Sequence, residues 1–229
     1  MYSYVFDNSF CEIQDVNFKH SVLWVINNDK KPPHIGYSAN NKYFSLKANG
    51  LDLALDTKSV LSFLNNKNDW ARYGNQDHNS LHTKYVNLKE VDYIVKQFKR
   101  PEIIDNVKFF KTMANGVVDP HSDNRNVAIN IPIRTNDSQN TIFYESKGDY
   151  DNPDINLGDK KIITNAKRYN KVEETQRFVL NQPACLNTSL PHGVENLSES
   201  DRVILSISFE GIYDSFNKIK SLYKNNLLI

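Results

Sequence analysis

A chain of 229 residues with 39% hydrophobic content, including 12 Tyr and 12 Phe, can bury the core of one ordinary domain, which excludes a wholly disordered protein. Its 28 Lys and Arg against 27 Asp and Glu leave a net charge of +1, and no long block of one sign advertises a nucleic acid or an anionic membrane as partner. Cys11 and Cys185 are too few for a disulfide framework and read as reduced thiols. The opening MYSYVFDNSFCEIQD lacks the basic and apolar regions of a signal or transit peptide, and the apolar runs are too short to cross a bilayer, so a cytoplasmic location is expected.

In chain order, Val22 to Ile26, Ile35 to Tyr37 and Tyr43 to Leu46 read as short strands of a meander around polar turns. His20 and His34 fall there without a partner at ligand-like spacing and read as surface or turn residues. Asp56 caps a short helix with Val60, Phe63 and Leu64 on one face. Residues 65 to 86 show no period and read as a loop. His78 and His82 lie four apart in it, but Gly74, Asn75, Asp77, Asn79 and Ser80 disfavour the helix that would make them a metal pair. Asn87 and Glu90 then form a capping box for a helix with Leu88, Val91, Ile94, Val95 and Phe98 in one stripe, stopped by Pro101 and fit to pack on the outside of a sheet. From Val107 the runs VKFFK, NVAINIPI, TIFYES, KIIT, RFVL, ACLNT and VILSISF alternate with turn clusters and approach the eight strands of a jelly roll built from two sheets. Ser146 to Leu157 is too polar for core and suits a lid or substrate loop. Asp214 opens a last helix, with Phe216, Ile219, Leu222 and Tyr223 on one face, expected to close one end of the barrel.

The chemistry concentrates in this β-rich part. His121-Ser122-Asp123 precedes one strand-like run, His192 sits between Pro191 and Gly193 before another, and Arg202 leads VILSISF. Residues two apart on an extended segment point to one side, so His121 and Asp123 can share a metal, with His192 supplied by a different strand. Two imidazoles and one carboxylate are the donor set that holds Fe(II) on one face and leaves the opposite face open, whereas a thiolate-rich site would favour zinc or an iron–sulfur cluster. Singly, each of these residues reads as a turn or strand-end residue; their order and spacing together make the metal site. The planar fork of Arg202 suits a carboxylate, and Ser206, on the same strand face, adds a hydroxyl. Arg125 and Asn130, close after the HxD, and Tyr144, near the end of the next strand, are further candidates for lining the site.

Over residues 107 to 210 the phrases HSDNRNVAINIPI and LNTSLPHGVEN resemble the Fe(II)/2-oxoglutarate-dependent oxygenase superfamily, in particular its aspartyl/asparaginyl hydroxylase-like and prolyl-hydroxylase-like branches. The resemblance implies a mainly β fold with flanking helices, its core a double-stranded β-helix (jelly-roll, cupin-like) within residues 66–229, preceded by an extension over residues 1–65. It implies Fe(II) on His121, Asp123 and His192, and 2-oxoglutarate as co-substrate with its far carboxylate on Arg202. O2 would be the oxidant, with ascorbate admitted as reductant. The activity implied is a dioxygenase that hydroxylates an unactivated C–H of a protein side chain or small metabolite. A halogenase is disfavoured because Asp123 is present. Two alternatives stand beside this reading: a catalytically silent barrel that binds a small acid or a protein, and a cupin-like metal isomerase or hydrolase, which would use more histidines than His121 and His192.

Overall fold

The computed structural model describes residues 42–46, 57–66, 71–72, 78–82, 88–151, 155–157, 160–162 and 167–229. The expected strands at 22–26 and 35–37, His20, His34, Cys11 and the capping residues Asp56 and Asn87 lie outside them. Among the described residues fifteen strands follow in chain order: β1 Tyr43–Ser45, β2 Ala71–Arg72, β3 His78–His82, β4 Ile104–Thr112, β5 Val117–Ser122, β6 Ala128–Arg134, β7 Gln139–Ser146, β8 Tyr150–Asp151, β9 Ile155–Leu157, β10 Lys160–Ile162, β11 Lys167–Tyr169, β12 Val172–Val179, β13 Ala184–Leu186, β14 His192–Asn196 and β15 Arg202–Phe209. The helices are α1 Thr57–Asn65, α2 Lys89–Lys96 and α3 Phe216–Lys224. No helix among the described residues is long and apolar enough to cross a membrane.

The strands form a seven-stranded sheet, β1-β13-β6-β15-β4-β3-β2, a six-stranded sheet, β12-β7-β14-β5-β11-β8, and a β9–β10 hairpin. Every pairing is antiparallel. Two antiparallel sheets wound in this order are a double-stranded β-helix of the jelly-roll, cupin-like class.

Strand alternation decides where the site can be. Val107 and Phe109 of β4, Ile129, Ile131 and Ile133 of β6, and Val203, Leu205 and Ile207 of β15 share one hydrophobic cluster with Val60 and Leu64 of α1, Val91 and Ile94 of α2, and Phe216, Ile219 and Leu222 of α3. The apolar positions of the large sheet therefore face outward, under the helices. The alternate positions, among them Phe110, Asn130, Arg202, Ile204, Ser206 and Ser208, are buried as well. They face the small sheet, and much of that inner face is polar. This is why all eight residues of β15 are buried although the strand alternates in polarity near its end. A smaller apolar cluster of Phe110, Phe143, Leu180, Ala184, Leu186, Leu190 and Ile204 fills the rest of the interior.

Several local expectations change. Residues 65–86 are not all loop: β2 and β3 extend the large sheet, with His78 paired to Thr112 and His82 to Lys108. Of the polar residues that argued against a helix, Asn79 and Ser80 lie on β3 between β2 and β4, and Gly74, Asn75 and Asp77 lie outside the described residues. The helix after residue 87 begins at Lys89 with Leu88 at its N-cap and no side-chain cap bond. Helix α3 covers the outer face of the large sheet instead of closing an end, because that face carries the apolar residues its stripe can bury. The stretch from Ser146 to Leu157 contains strands, since Tyr150–Asp151 pairs with β11 and Ile155–Leu157 with β10. The described part of residues 1–65 joins the same core: β1 pairs with β13 at the edge of the large sheet, and α1 packs into the outer cluster.

Candidate metal centre

β5 and β14 lie side by side, with His121 opposite His192 and Val118 opposite Val194. Three steps along β5 thus match two along β14. The extra residue is a β-bulge at Asp119–Pro120, and it lets Val118 and His121 point to the same side although they are an odd number apart. Pro120 suits such a position because it has no N–H to contribute to a ladder. Asp123 follows His121 by two residues and returns to that side. One ligating atom from each of His121, Asp123 and His192 lies within 4.8 Å of the others, the imidazole centroids are 4.5 Å apart, and His121 Nε2 is 3.6 Å from Asp123 Oδ1.

Both imidazoles are oriented from behind in the same way. His121 Nδ1 is 2.7 Å from Asp119 O, and His192 Nδ1 is 2.8 Å from Leu190 O. A carbonyl only accepts, so each Nδ1 carries a proton and Nε2 is the nitrogen left to face a metal. Burial, with repulsion from His121, pushes His192 down to about 4, so its ring is neutral at physiological pH. Burial opposes ionisation of Asp123, but the Arg125 guanidinium and the two imidazoles hold its carboxyl well below the usual range. These are the protonation states a divalent cation requires.

The shift on His192 sets a pH dependence for the metal-free protein. The unfolded ring titrates near 6.5 and the folded one near 4, so between these values the unfolded chain binds more protons and stability falls as pH falls. Over that window the loss should be on the order of 3 kcal/mol. Asp123, whose folded value is depressed, contributes stability that is complete above the ordinary carboxylate value and is lost only as pH falls below it, so it does not cause this loss. Urea melts at pH 7 and pH 4.5 should show the drop in the parent and a flatter response in His192→Gln; equal responses would contradict it.

Gly193 follows His192 and is required by space. A Cβ there would sit 2.6 Å from Val118 O and 3.2 Å from a ring carbon of Tyr144. The carbonyl belongs to the neighbouring strand and cannot move cheaply, so Gly193→Ala should cost about 1–3 kcal/mol, lowering Tm by roughly 2–4 °C for each of them. An unchanged melt would show that β5 and β14 separate easily.

The remaining candidates divide. Arg202 is 2% exposed on the inner face of β15, and its Nη2 donates to Thr141 Oγ1 at 3.0 Å. Its Nε is buried with no hydrogen-bond partner, and among the described residues it forms no ion pair. Burial pushes its guanidinium down to about 10, which still leaves it charged at neutral pH. Thr141 precedes Phe143 by two residues on β7, and Phe143 pairs with His192. Arg202 therefore reaches across from the large sheet to a point on the small sheet one strand repeat along β7 from the residue paired with His192. Arg125 donates from Nε to Asp123 Oδ2 at 2.8 Å and from Nη1 to Ser206 Oγ at 3.1 Å, and Ser206 donates to Asn130 Oδ1 at 2.6 Å. Tyr144 does not join them. It alternates with the inward Thr141 and Phe143 and lies over Gly193 on the outer face of the small sheet, near Glu174, Arg177 and Glu195.

Two contributors were missed in the sequence. Thr141 could have been found from the alternation Thr141-Ile142-Phe143 once β7 was placed. Asp214, expected to open a helix, instead accepts hydrogen bonds from the backbone N–H groups of Asn126 at 2.6 Å and Val127 at 3.2 Å, pinning the chain just after Arg125. No local signal announces it.

No protein-family model matches the sequence, and no curated protein does. Among solved structures, the chain is similar to HygX from Streptomyces hygroscopicus with nickel and 2-oxoglutarate bound, at TM-score 0.50 and 9% identity, over 76% of this chain and 85% of that one. It is also similar to the epimerase SnoN in complex with Fe3+, α-ketoglutarate and nogalamycin RO, at TM-score 0.46 and 10% identity, over 75% of this chain and 80% of that one. The likeness to HygX shows a shared fold.

Proposed function

We propose that the protein is a non-haem Fe(II)- and 2-oxoglutarate-dependent oxygenase, with His121, Asp123 and His192 as the iron ligands. The observation that carries this reading is Arg202. A buried guanidinium without an acid beside it, and with Nε unpartnered, is costly unless an anion completes it. Its contact Thr141 lies one strand repeat along β7 from Phe143, the partner of His192, so the missing anion fits something that also reaches a metal at the two-imidazole, one-carboxylate cluster. A dicarboxylate with a 2-oxo acid at one end meets both demands, whereas a silent barrel that binds a small acid accounts for Arg202 but not for the ligand cluster. HygX, which shares the fold, holds 2-oxoglutarate with nickel.

In this mechanism the chain's own groups bind and orient. The two imidazoles and Asp123 would hold the cation on one side, Arg202 and Thr141 receive the distal carboxylate of the co-substrate, and the apolar wall of Phe110, Phe143, Leu190 and Ile204 keeps water from the interior. Bound iron would supply the oxidising chemistry that couples O2 reduction and 2-oxoglutarate decarboxylation to oxidation of a C–H bond. Hydroxylation of a protein side chain or a small metabolite, in a cytoplasm that keeps Fe(II) reduced, completes the proposal. The test is succinate release from 2-oxoglutarate with Fe(II), O2 and ascorbate, screened against peptide and metabolite pools. Succinate that depends on His192 supports the reading. No succinate above the His121→Ala/His192→Ala background with any pool contradicts it.

A further inference from the structure

The guanidinium of Arg125 is fixed on three sides. Nε donates to Asp123 Oδ2, Nη1 donates to Ser206 Oγ, and the carbon of the group stands 5.3 Å from the centre of the Phe110 ring. The side chain is one-sixth exposed, at 16%, and Asp123 is 5% exposed, so this is an enclosed ion pair. Ser206 is held in turn by Asn130, its cross-strand partner. The chain of contacts runs from the ligand carboxylate on the loop after β5, through Arg125, to β15 and β6 of the opposite sheet. Position 206 lies two strand repeats from Arg202 on the same inner face.

The sequence placed Arg125 among the residues lining the site, and its contacts give it a narrower role. We infer that Arg125 is a positioning residue that grips the outer oxygen of Asp123 and so keeps that carboxylate to one-oxygen ligation through Oδ1. The inference rests on the metal-site reading above. Its physical basis is that a carboxylate with both oxygens available can turn and take a metal through two, closing a position that a chelating 2-oxo acid needs. Arg125 prevents the turn because Oδ2 is committed to a charged donor that is itself anchored at a second point. Asp214 helps from behind by pinning Asn126 and Val127, so Arg125 does not depend on its own side chain alone for placement.

Lys108 is buried opposite Ser206 on β4, with partners of its own. The cavity of about 140 Å³ at the sheet edge, between Tyr43, Phe178 and Gln182, has nothing to define an occupant.

The experiment uses full-length protein loaded with Co(II), whose visible absorption reports coordination number and geometry, with affinity measured by calorimetry. Arg125→Ala should shift the Co(II) spectrum and weaken Co(II) binding roughly tenfold to a hundredfold, the usual scale for losing an outer partner of a ligand. Arg125→Lys keeps the charge but not the two-point fork, so it should restore part of the affinity and leave the spectrum shifted. Ser206→Ala, which removes only the far anchor, should shift the spectrum less. Circular dichroism and melting curves establish folding; should Arg125→Ala not fold, Arg125→Lys and Ser206→Ala carry the test. Parental spectra in the folded Arg125 variants would overturn the inference while leaving the metal site standing. Failure of the parent to bind Co(II) would overturn the metal-site reading and the inference with it.

Discussion

His192→Ala should abolish stoichiometric binding of Fe(II), and of Mn(II) or Co(II) as redox-silent stand-ins, at metal concentrations that saturate the parent. The three donors come from two strands and act as one site, so removing the only donor on β14 leaves His121 and Asp123, which are two residues apart, to hold the ion alone. The loss should exceed the roughly hundredfold upper range seen when only an outer-shell partner is removed. The substitution also deletes the Nδ1–H to Leu190 bond, and its effect on folding must be measured separately. Metal analysis after desalting, beside circular dichroism, separates the two. A folded His121→Ala/His192→Ala double variant with parental metal content would show that the ion sits elsewhere.

The second large effect is at the other end of the interior. Arg202→Ala should weaken 2-oxoglutarate binding by about 2–5 kcal/mol, roughly thirty-fold to several thousand-fold, because the distal carboxylate loses a charge-assisted two-point partner and is left buried without one. Metal binding should survive, since Arg202 contacts Thr141 and none of the ligands. Arg202→Lys retains charge without the fork and should fall between parent and alanine. The ligand-free protein supplies a second readout. A buried charge with an unpartnered Nε destabilises the empty fold, so Arg202→Met, of similar length and apolar, should melt no lower than the parent while binding 2-oxoglutarate as poorly as Arg202→Ala. If Arg202→Met lowers Tm sharply and leaves 2-oxoglutarate affinity intact, Arg202 is structural.

The residue types that carry the chemistry were legible because they are few and their order is constrained: in the β-rich region only His121 and His192 are histidines, and Asp123 and Arg202 stand at informative offsets from them. The β-strands of Val107 to Phe209 were legible from β-branched and aromatic runs, and α2 from its stripe. What escaped depends on neighbours in space. β5 reads VVDPHS, and a proline inside a run demotes a strand, yet Pro120 is tolerated at the bulge that aims His121. β3 reads HNSLH and is a strand because β4 offers it an edge. Tyr144 ends the expected strand, but the face it takes is decided by the alternation from Thr141, which puts it outside. Arg125 was visible two residues after Asp123; that it grips the carboxylate and not a ligand required the position of Ser206 on another sheet.

The most direct measurement is anaerobic titration of 2-oxoglutarate into the Fe(II)-loaded protein, followed by the charge-transfer absorption that such chelates give and checked by calorimetry. The account predicts saturable one-to-one binding with a new visible band, lost in His192→Ala and strongly weakened in Arg202→Ala. Iron-loaded parent protein that shows no band and no heat on addition of 2-oxoglutarate, or Arg202→Ala protein that binds it as tightly as the parent, would contradict the account.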